Sequence, residues 1–255
     1  MSMPRKIIFV IALMVFVGAA GVIIDHYVTG WRAEKALTDL ADLKVETLED
    51  LKTEKGTVIG EYVELYRQNP DSIGWIKIDG THIDYPVMQT QNDPEYYLRR
   101  DFNGEYSLSG TPFIDAASDI FIPTCNWTIY GHHMKVGTMF YDLLEYADRE
   151  FYEEHRTIEF DTIYKETGQH EYEIIAAFYA EIKDVDEGGF KYYQYAGITT
   201  EESFNEYVAG VKAVSVYDTG IDAEYGDQLI TLSTCSYHVE DKRGRFAVVA
   251  KRIEE

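Results

Sequence analysis

Eight short runs of β-branched and aromatic residues follow one another along the chain, and they constrain its fold more than any other feature. Gly, Asn, Asp and Pro separate the runs, as turn residues do between strands. The runs cover residues 75–78, 82–88, 111–114, 127–130, 157–160, 172–180, 228–234 and 246–251. This succession predicts a mainly β domain, built as a barrel or a sandwich.

One stretch interrupts the strand pattern. Residues 199–202, Thr-Thr-Glu-Glu, are typical of a capped helix start. The apolar residues that follow share one helical face: Phe204, Tyr207, Val208 and Val211. We therefore predict a helix over about 200–214, inserted between two late strands. Its apolar face would pack on the β domain, and the loop before it would overhang the end of the next strand.

The charge of the chain excludes some classes of partner. Its 255 residues include 45 Asp and Glu against 23 Lys and Arg, for a net charge of −22, and 45% are hydrophobic. This apolar content is enough for a folded core, which excludes a disordered tail. The acidic balance repels phosphate backbones, so we expect no nucleic-acid partner. A neutral or cationic partner fits better.

An apolar segment lies near the N-terminus. Residues 7–24 carry no charge, and a helix of that length crosses most of a hydrocarbon core about 30 Å thick. Arg5 and Lys6 precede the segment and Asp25 follows it, which predicts a cytoplasmic N-terminus and an extracytoplasmic main domain. The alternative is a cleaved signal peptide, but the small residues 18–21 lie inside the apolar run rather than after it. We expect a single-pass membrane anchor.

The remaining N-terminal sequence has a helical texture. Residues 31–66 are rich in Ala, Leu, Glu and Lys, with leucines at near-helical spacing, which predicts one or two amphipathic helices. The predicted organisation is a membrane anchor over 1–28, an amphipathic helical stalk over 29–60 and a catalytic domain over 61–255.

The most informative candidate for chemistry is Cys235. Residues 229–235 form a β-prone run that delivers this thiol to a strand end. A buried, inert cysteine is the commoner outcome, and a disulfide with Cys125 is a further alternative. A nucleophilic thiolate needs a proton-transfer partner and a group that stabilises an oxyanion. The imidazoles within residues 130–133 and Arg245, which opens the last strand, could supply both if those strands are neighbours.

Two alternatives concern the histidines. Because adjacent residues of an extended segment point to opposite sides, only one of His132 and His133 can face the thiol. A zinc site from both histidines, Cys235 and His238 is chemically possible. The isolated Cys-x-x-His spacing and the cationic Arg245 argue against it.

Together these motifs resemble the sortases. The resemblance rests on residues 231–235 (Thr-Leu-Ser-Thr-Cys), on Arg245 at the start of a terminal strand, and on residues 130–132 (Tyr-Gly-His) upstream. Further motifs resemble class B in particular: Gly74-Trp75-Ile76, Asp84-Tyr85-Pro86-Val87, Gly137-Thr138-Met139-Phe140 and the helix near 200–214. The likeness covers roughly residues 60–253. It implies an eight-stranded sortase-type β-barrel with N-terminal helices and a helix before the cysteine strand.

The resemblance also implies roles. Cys235 would be the nucleophile, His132 the general acid and base, and Arg245 the positive group beside the substrate carbonyl. It assigns the substrate wall to Asn92, Tyr96, Leu98, Ser233 and Thr234. The enzyme would cleave a sorting-signal peptide with a Thr before the scissile bond and transfer the acyl product to a cell-wall peptide amine, without a cofactor. A sortase-like hydrolase, a pilin-joining transpeptidase and an inactive anchored binding module are the alternatives.

Overall fold

The computed structural model describes residues 3–44, 49–122, 125–184, 187–239 and 243–254. Within these residues the α-helices are α1 (Met3–Ala41), α2 (Val63–Gln68), α3 (Arg149–Glu154) and α4 (Glu201–Val214). The strands are β1 (Leu51–Lys52), β2 (Thr57–Val58), β3 (Ser72–Lys77), β4 (Asp84–Met88), β5 (Phe113–Ile114), β6 (Asn126–Tyr130), β7 (His133–Met134), β8 (Thr138–Met139), β9 (Thr157–Thr162), β10 (Gln169–Glu181), β11 (Leu229–Cys235) and β12 (Gly244–Arg252). Four 3₁₀ turns also occur, at Gly60–Tyr62, Tyr96–Arg99, Asp142–Ala147 and Tyr192–Gln194.

Eight of the strands close into a barrel in the order β10-β12-β11-β6-β5-β4-β3-β9. Neighbours are antiparallel except for the β6–β11 and β4–β5 pairs, which are parallel. Each barrel strand overlaps one of the eight runs expected from the sequence, so the mainly β prediction is confirmed, and the barrel is selected over the sandwich. The two-residue strands of the β1–β2 and β7–β8 hairpins were not expected.

Alternation along β11 and β12 separates two apolar layers. Ile230 and Leu232 belong to the main core cluster, as do Phe246 and Val248 on β12. The alternate residues of each strand face the other way. On β12 these include Ala247 and Val249, which belong to a second apolar cluster under α4. Because side chains alternate along a strand, Ser233 and Cys235 share this outer face with Thr231. The cysteine therefore lies on the helix-covered side of the barrel.

Helix α4 confirms the insertion expected near residues 200–214. The Thr200 side chain accepts a hydrogen bond from the Ser203 backbone N–H, as an N-cap residue does. The four apolar residues named for its inner face are buried, and they pack over β10, β11 and β12: Phe204, Tyr207, Val208 and Val211. The helix thus covers the same outer face that carries Cys235.

The helical prediction for residues 31–66 is only partly right. Helix α1 runs without a break to Ala41 and buries Leu37 and Leu40 against the core, but residues 51–58 form the β1–β2 hairpin. Thr53 causes this difference, because its hydroxyl bonds the Gly56 carbonyl at 2.8 Å and caps the turn. Residues 45–48, within the same prediction, lie outside the described residues.

Across the residues that the structure describes, no helix is both long and apolar enough to span a bilayer. The anchor expected over residues 7–24 therefore remains a prediction from the sequence. The division of the chain at residues 28 and 60 is likewise a prediction.

Candidate active site

Three strands bring the proposed catalytic side chains to one end of the barrel. Cys235 ends β11 and pairs directly with Arg245 of the antiparallel β12. Directly opposite residues share a face and have Cβ atoms about 4.5–5.5 Å apart. On the other side of β11, Ser233 pairs with Tyr130 of the parallel β6. Because His132 lies two residues beyond Tyr130 and Cys235 two beyond Ser233, both reach the same end of the barrel.

All three side chains line one cavity of about 430 Å³. Its other lining residues come from β5, β6 and β11, from the segments around β5 and after β6, and from the loop between β10 and α4: Pro94, Glu95, Tyr97, Leu98, Thr111, Phe113, Asp115, Ala116, Tyr130, Gly131, Ile182, Tyr192, Tyr193, Ser233 and Thr234. Apolar and aromatic side chains with a few polar groups at one end are typical of a peptide- or ligand-binding cleft. The cavity is therefore large enough for a few residues of an extended chain that ends at the thiol.

The protonation of His132 follows from its surroundings. Its Nε2 lies 2.8 Å from the carbonyl oxygen of Leu98. Because a carbonyl only accepts, Nε2 carries the hydrogen, and Nδ1 is the basic nitrogen of the neutral ring. The pKa of His132 is lowered mainly by burial, and the charges of Arg99 and Arg245 lower it further. The hydrogen bond to the Leu98 carbonyl acts in the opposite direction and raises it. The resting imidazole is accordingly neutral.

Backbone and side-chain contacts fix the turn that carries His132. The Thr234 hydroxyl donates to the Gly131 carbonyl at 2.7 Å, and the Gly131 N–H donates to the Ser233 carbonyl at 3.1 Å. A Cβ at Gly131 would lie 2.6 Å from the ring of Phe140, so only glycine fits there. These contacts tie the end of β6 to β11, and hence His132 to the cysteine strand.

His133 faces away from the cavity. Its ring packs at 4.8 Å from the Tyr141 ring and at 5.7 Å from the Tyr237 ring, between centroids. Of the two adjacent histidines, only His132 lines the cavity with the thiol. The described residues contain no cluster of metal-ligating side chains, and both cysteines are free thiols. In the structure the side chains considered for a zinc site do not form a ligand cluster, and Cys125 and Cys235 are not joined by a disulfide.

The residues predicted to form the substrate wall divide into two groups. Leu98, Ser233 and Thr234 line the cavity. Tyr96 does not line it; its ring packs against Tyr97 at 5.0 Å and lies under the Arg100 guanidinium at 4.5 Å. Asn92 is exposed and is also absent from the cavity wall. Their roles in binding remain predictions from the resemblance.

A tight turn shapes the Leu98 side of the cavity. Gly110 has a positive φ of 60°, and a Cβ on it would lie 2.6 Å from the carbonyl oxygens of both Tyr97 and Leu98. Any other residue would push this turn away from the 3₁₀ segment. Gly110 thereby holds in place the Leu98 carbonyl that orients His132.

The opposite wall comes from the loop between β10 and α4, which the sequence analysis did not include among the site residues. Tyr192 is buried, and its hydroxyl lies 2.6 Å from the Ser233 hydroxyl. Burial raises its pKa to about 12, so it stays a neutral phenol. The neighbouring Tyr193 also lines the cavity. The aromatic-rich stretch at residues 190–195 was the available signal, and the loop overhangs the cysteine strand as expected.

Comparison with known proteins agrees with this geometry. Residues 76–253 match the model of the sortase domain. The chain is 32% identical over 235 residues to sortase B of Listeria monocytogenes, covering 88% of this chain and 91% of that protein. It is 31% identical over 194 residues to sortase B of Staphylococcus aureus, covering 76% of this chain and 75% of that protein.

Solved structures show the same likeness. A Staphylococcus aureus sortase B–substrate complex aligns with a TM-score of 0.67 and 30% identity, over 77% of this chain and 86% of that one. A structure of sortase B from Bacillus anthracis aligns with a TM-score of 0.73 and 27% identity, over 90% of this chain and all of that one (100%). The eight-stranded barrel with helices thus matches the fold of these sortase B structures.

Proposed function

We propose that Cys235, His132 and Arg245 carry out the chemistry of this chain, which belongs to the sortase family. Its relatives are of class B, and it has the transpeptidase function of that class. The observation that carries the proposal is the meeting of these three side chains at one end of the 430 Å³ cavity. The substrate is a sorting-signal peptide of a secreted protein, and the acceptor is a cell-wall peptide amine.

In the first half-reaction the Cys235 thiolate attacks the carbonyl carbon of the scissile peptide bond. A neutral His132 takes the thiol proton on Nδ1 and then gives it to the nitrogen of the leaving amine. The bond from Nε2 to the Leu98 carbonyl keeps the ring in the tautomer that this transfer requires. The products are a thioester on Cys235 and a released C-terminal fragment.

Arg245 acts on the oxygen of the same carbonyl. The guanidinium keeps its positive charge at any working pH and offers several N–H donors in one plane. Direct pairing with Cys235 across β11 and β12 puts its side chain on the face where the oxyanion develops. A donor that meets negative charge only as the oxyanion forms lowers the activation barrier and typically raises the rate by roughly 10²–10³-fold.

In the second half-reaction an amine resolves the thioester. Its lone pair attacks the thioester carbon, the C–N bond forms and the C–S bond breaks, and the amine proton passes to His132. The Tyr192 and Leu98 walls would hold the bound acyl chain on either side.

The proposed cellular setting rests on the sequence. Residues 7–24 carry no charge and basic residues precede them, which favours a single-pass anchor with the catalytic domain outside the cytoplasm. Ile8, Phe9 and Phe16 on α1 are 61–70% exposed, an apolar surface that a bilayer would cover. Partition of the full chain into the soluble fraction of cells without processing would contradict the anchor.

Product analysis tests the proposed reaction. The full chain in detergent is incubated with peptides containing Asn-Pro or Ser-Pro followed by a Thr, with and without a small amine. We expect cleavage after the Thr and, with the amine present, a product that carries it. Cys235→Ala is the matched control and should give neither product. Cleavage to the acid alone, unaffected by the amine, would indicate a hydrolase, and no cleavage of any peptide would contradict the proposal.

A further inference from the structure

A cluster of aromatic and cationic side chains follows His132 and Cys235, which we call the catalytic pair, closely along the chain. His133 and Lys135 on the β7–β8 hairpin meet Tyr141 and Tyr237, and we call these four residues the aromatic shelf. The ring of His133 contacts both tyrosine rings, and the Lys135 ammonium lies 5.1 Å from the centre of the Tyr237 ring. Tyr237 is 57% exposed, so the shelf is open to solvent.

The shelf continues the active site away from the cavity. Cys235 and His132 line the cavity, whereas none of the four shelf residues does. The shelf begins one residue after His132 and two residues after Cys235. The shelf therefore adjoins the catalytic pair along the chain and is separate from the cavity wall.

Transpeptidation requires a surface outside the cavity that can hold the amine acceptor. When the acyl chain of the thioester fills the cavity, the attacking amine must approach the carbonyl carbon from outside it. The amine nitrogen forms the new C–N bond while the C–S bond breaks and Cys235 leaves as a thiolate. The amine proton passes to His132. Anything that holds the rest of the acceptor must lie beyond the catalytic pair, where the shelf is.

Resting on the proposed transpeptidase function, we infer that the aromatic shelf binds the amine acceptor and that Lys135 selects acceptors that carry a carboxylate about a tripeptide's length from the reactive amine. The positive charge of the Lys135 ammonium attracts that carboxylate. The exposed face of Tyr237 offers an apolar surface for the acceptor backbone.

The acceptor has to bridge the thiol and the shelf. Tyr237 lies two residues after Cys235, and the Lys135 ammonium lies 5.1 Å from the centre of its ring. An acceptor that reacts at Cys235 and reaches Lys135 must therefore extend past Tyr237. An extended tripeptide, about 10 Å long, is a suitable probe.

A pair of tripeptides measures this selection. Triglycine and triglycinamide carry the same amine and differ in the carboxylate. The full chain is acylated with a sorting peptide, and the rate of aminolysis is divided by that variant's own rate of thioester hydrolysis. We expect a roughly two- to fivefold preference for triglycine at low salt, the size of an exposed ion pair, and its loss in 1 M salt.

Two variants and a control complete the experiment. Lys135→Gln should bring the preference to one, and Tyr237→Ala should slow aminolysis by both amines. Lys44→Gln is the control, because Lys44 packs over the Trp75 ring at 4.8 Å in the same type of contact away from the site. A preference that survives Lys135→Gln, or that Lys44→Gln also removes, would overturn the inference. Failure of the unsubstituted chain to form a thioester would instead overturn the proposed function.

Discussion

Replacing Thr234 with valine separates two roles that this residue could have in the cavity. Thr234 is 2% exposed, and its hydroxyl donates to the Gly131 carbonyl at 2.7 Å. Valine keeps the shape and removes the donor, so the buried carbonyl loses its hydrogen bond. We expect a loss of about 1–3 kcal/mol in the free energy of unfolding, and a fall in Tm of roughly 2–4 °C per kcal/mol.

The same change should affect catalysis through His132. Gly131 precedes His132, and a shift of about 1 Å in a catalytic group can cost up to roughly 10²-fold in rate. If Thr234 is a positioning residue, Thr234→Val lowers kcat by tenfold or more with little change in KM for the peptide. Thr234→Ser keeps the hydroxyl and should recover most of kcat.

The control is a buried threonine far from the site. Thr162 on β9 is fully buried, and its hydroxyl donates to the Gly168 carbonyl at 2.8 Å. Thr162→Val should lose similar stability and keep its activity. Peptide cleavage is measured at a temperature where all variants are folded. A Thr234→Val enzyme that matches Thr162→Val in kcat would refute positioning, and a rise in KM alone would indicate a substrate contact.

Three further predictions concern the catalytic groups. Cys235→Ala should abolish peptide cleavage and covalent labelling, whereas Cys125→Ala should leave both largely intact; equal losses would indicate a structural role for the thiols. Arg245→Lys should lower kcat/KM by much of the roughly 10²–10³-fold that one oxyanion donor supplies, while alkylation of the thiol stays near normal; the reverse pattern would mean that Arg245 acts on the thiol. The lowered pKa of His132 means that below about pH 6.5 the unfolded chain binds more protons than the folded one, so stability falls as the pH drops through that value. Urea unfolding of His132→Gln should show a smaller fall, and an unchanged fall would contradict the assignment.

The barrel strands and α4 were predictable because their signals are local. β-branched runs between turn residues mark each barrel strand, and Thr200 with the acidic first turn marks α4. The strand pattern alone left a barrel or a sandwich open, because closure depends on pairing between distant strands such as β3 and β9. The resemblance to the sortases implied the eight-stranded barrel, and the structure confirms it. The β1–β2 hairpin was missed because the helical composition of residues 31–66 outweighed the local turn formed by Thr53 and Gly56. The Glu166 carboxylate also accepts a hydrogen bond from the Thr57 N–H across the fold, a contact that no local pattern shows.

The strand pattern placed Cys235, Arg245 and the two adjacent histidines near strand ends, and the resemblance to the sortases selected His132 and assigned the three catalytic roles. The cavity walls could not be derived in the same way. The overhang of the β10–α4 loop was expected, but the local pattern does not show which of its aromatic residues reaches the cysteine strand, and it is Tyr192 that contacts Ser233. Tyr96 and Tyr97 are adjacent tyrosines in one 3₁₀ turn, and only the packing of that turn decides that Tyr97 lines the cavity.

Mass measurement of the trapped thioester tests the central claim most directly. The full chain is incubated briefly with a sorting peptide in the absence of amine, quenched in acid and digested. We expect an added mass equal to the peptide fragment up to the Thr, attached to Cys235 and released by a small amine as the corresponding amide. An adduct on Cys125, or cleavage that persists in Cys235→Ala, would contradict the account.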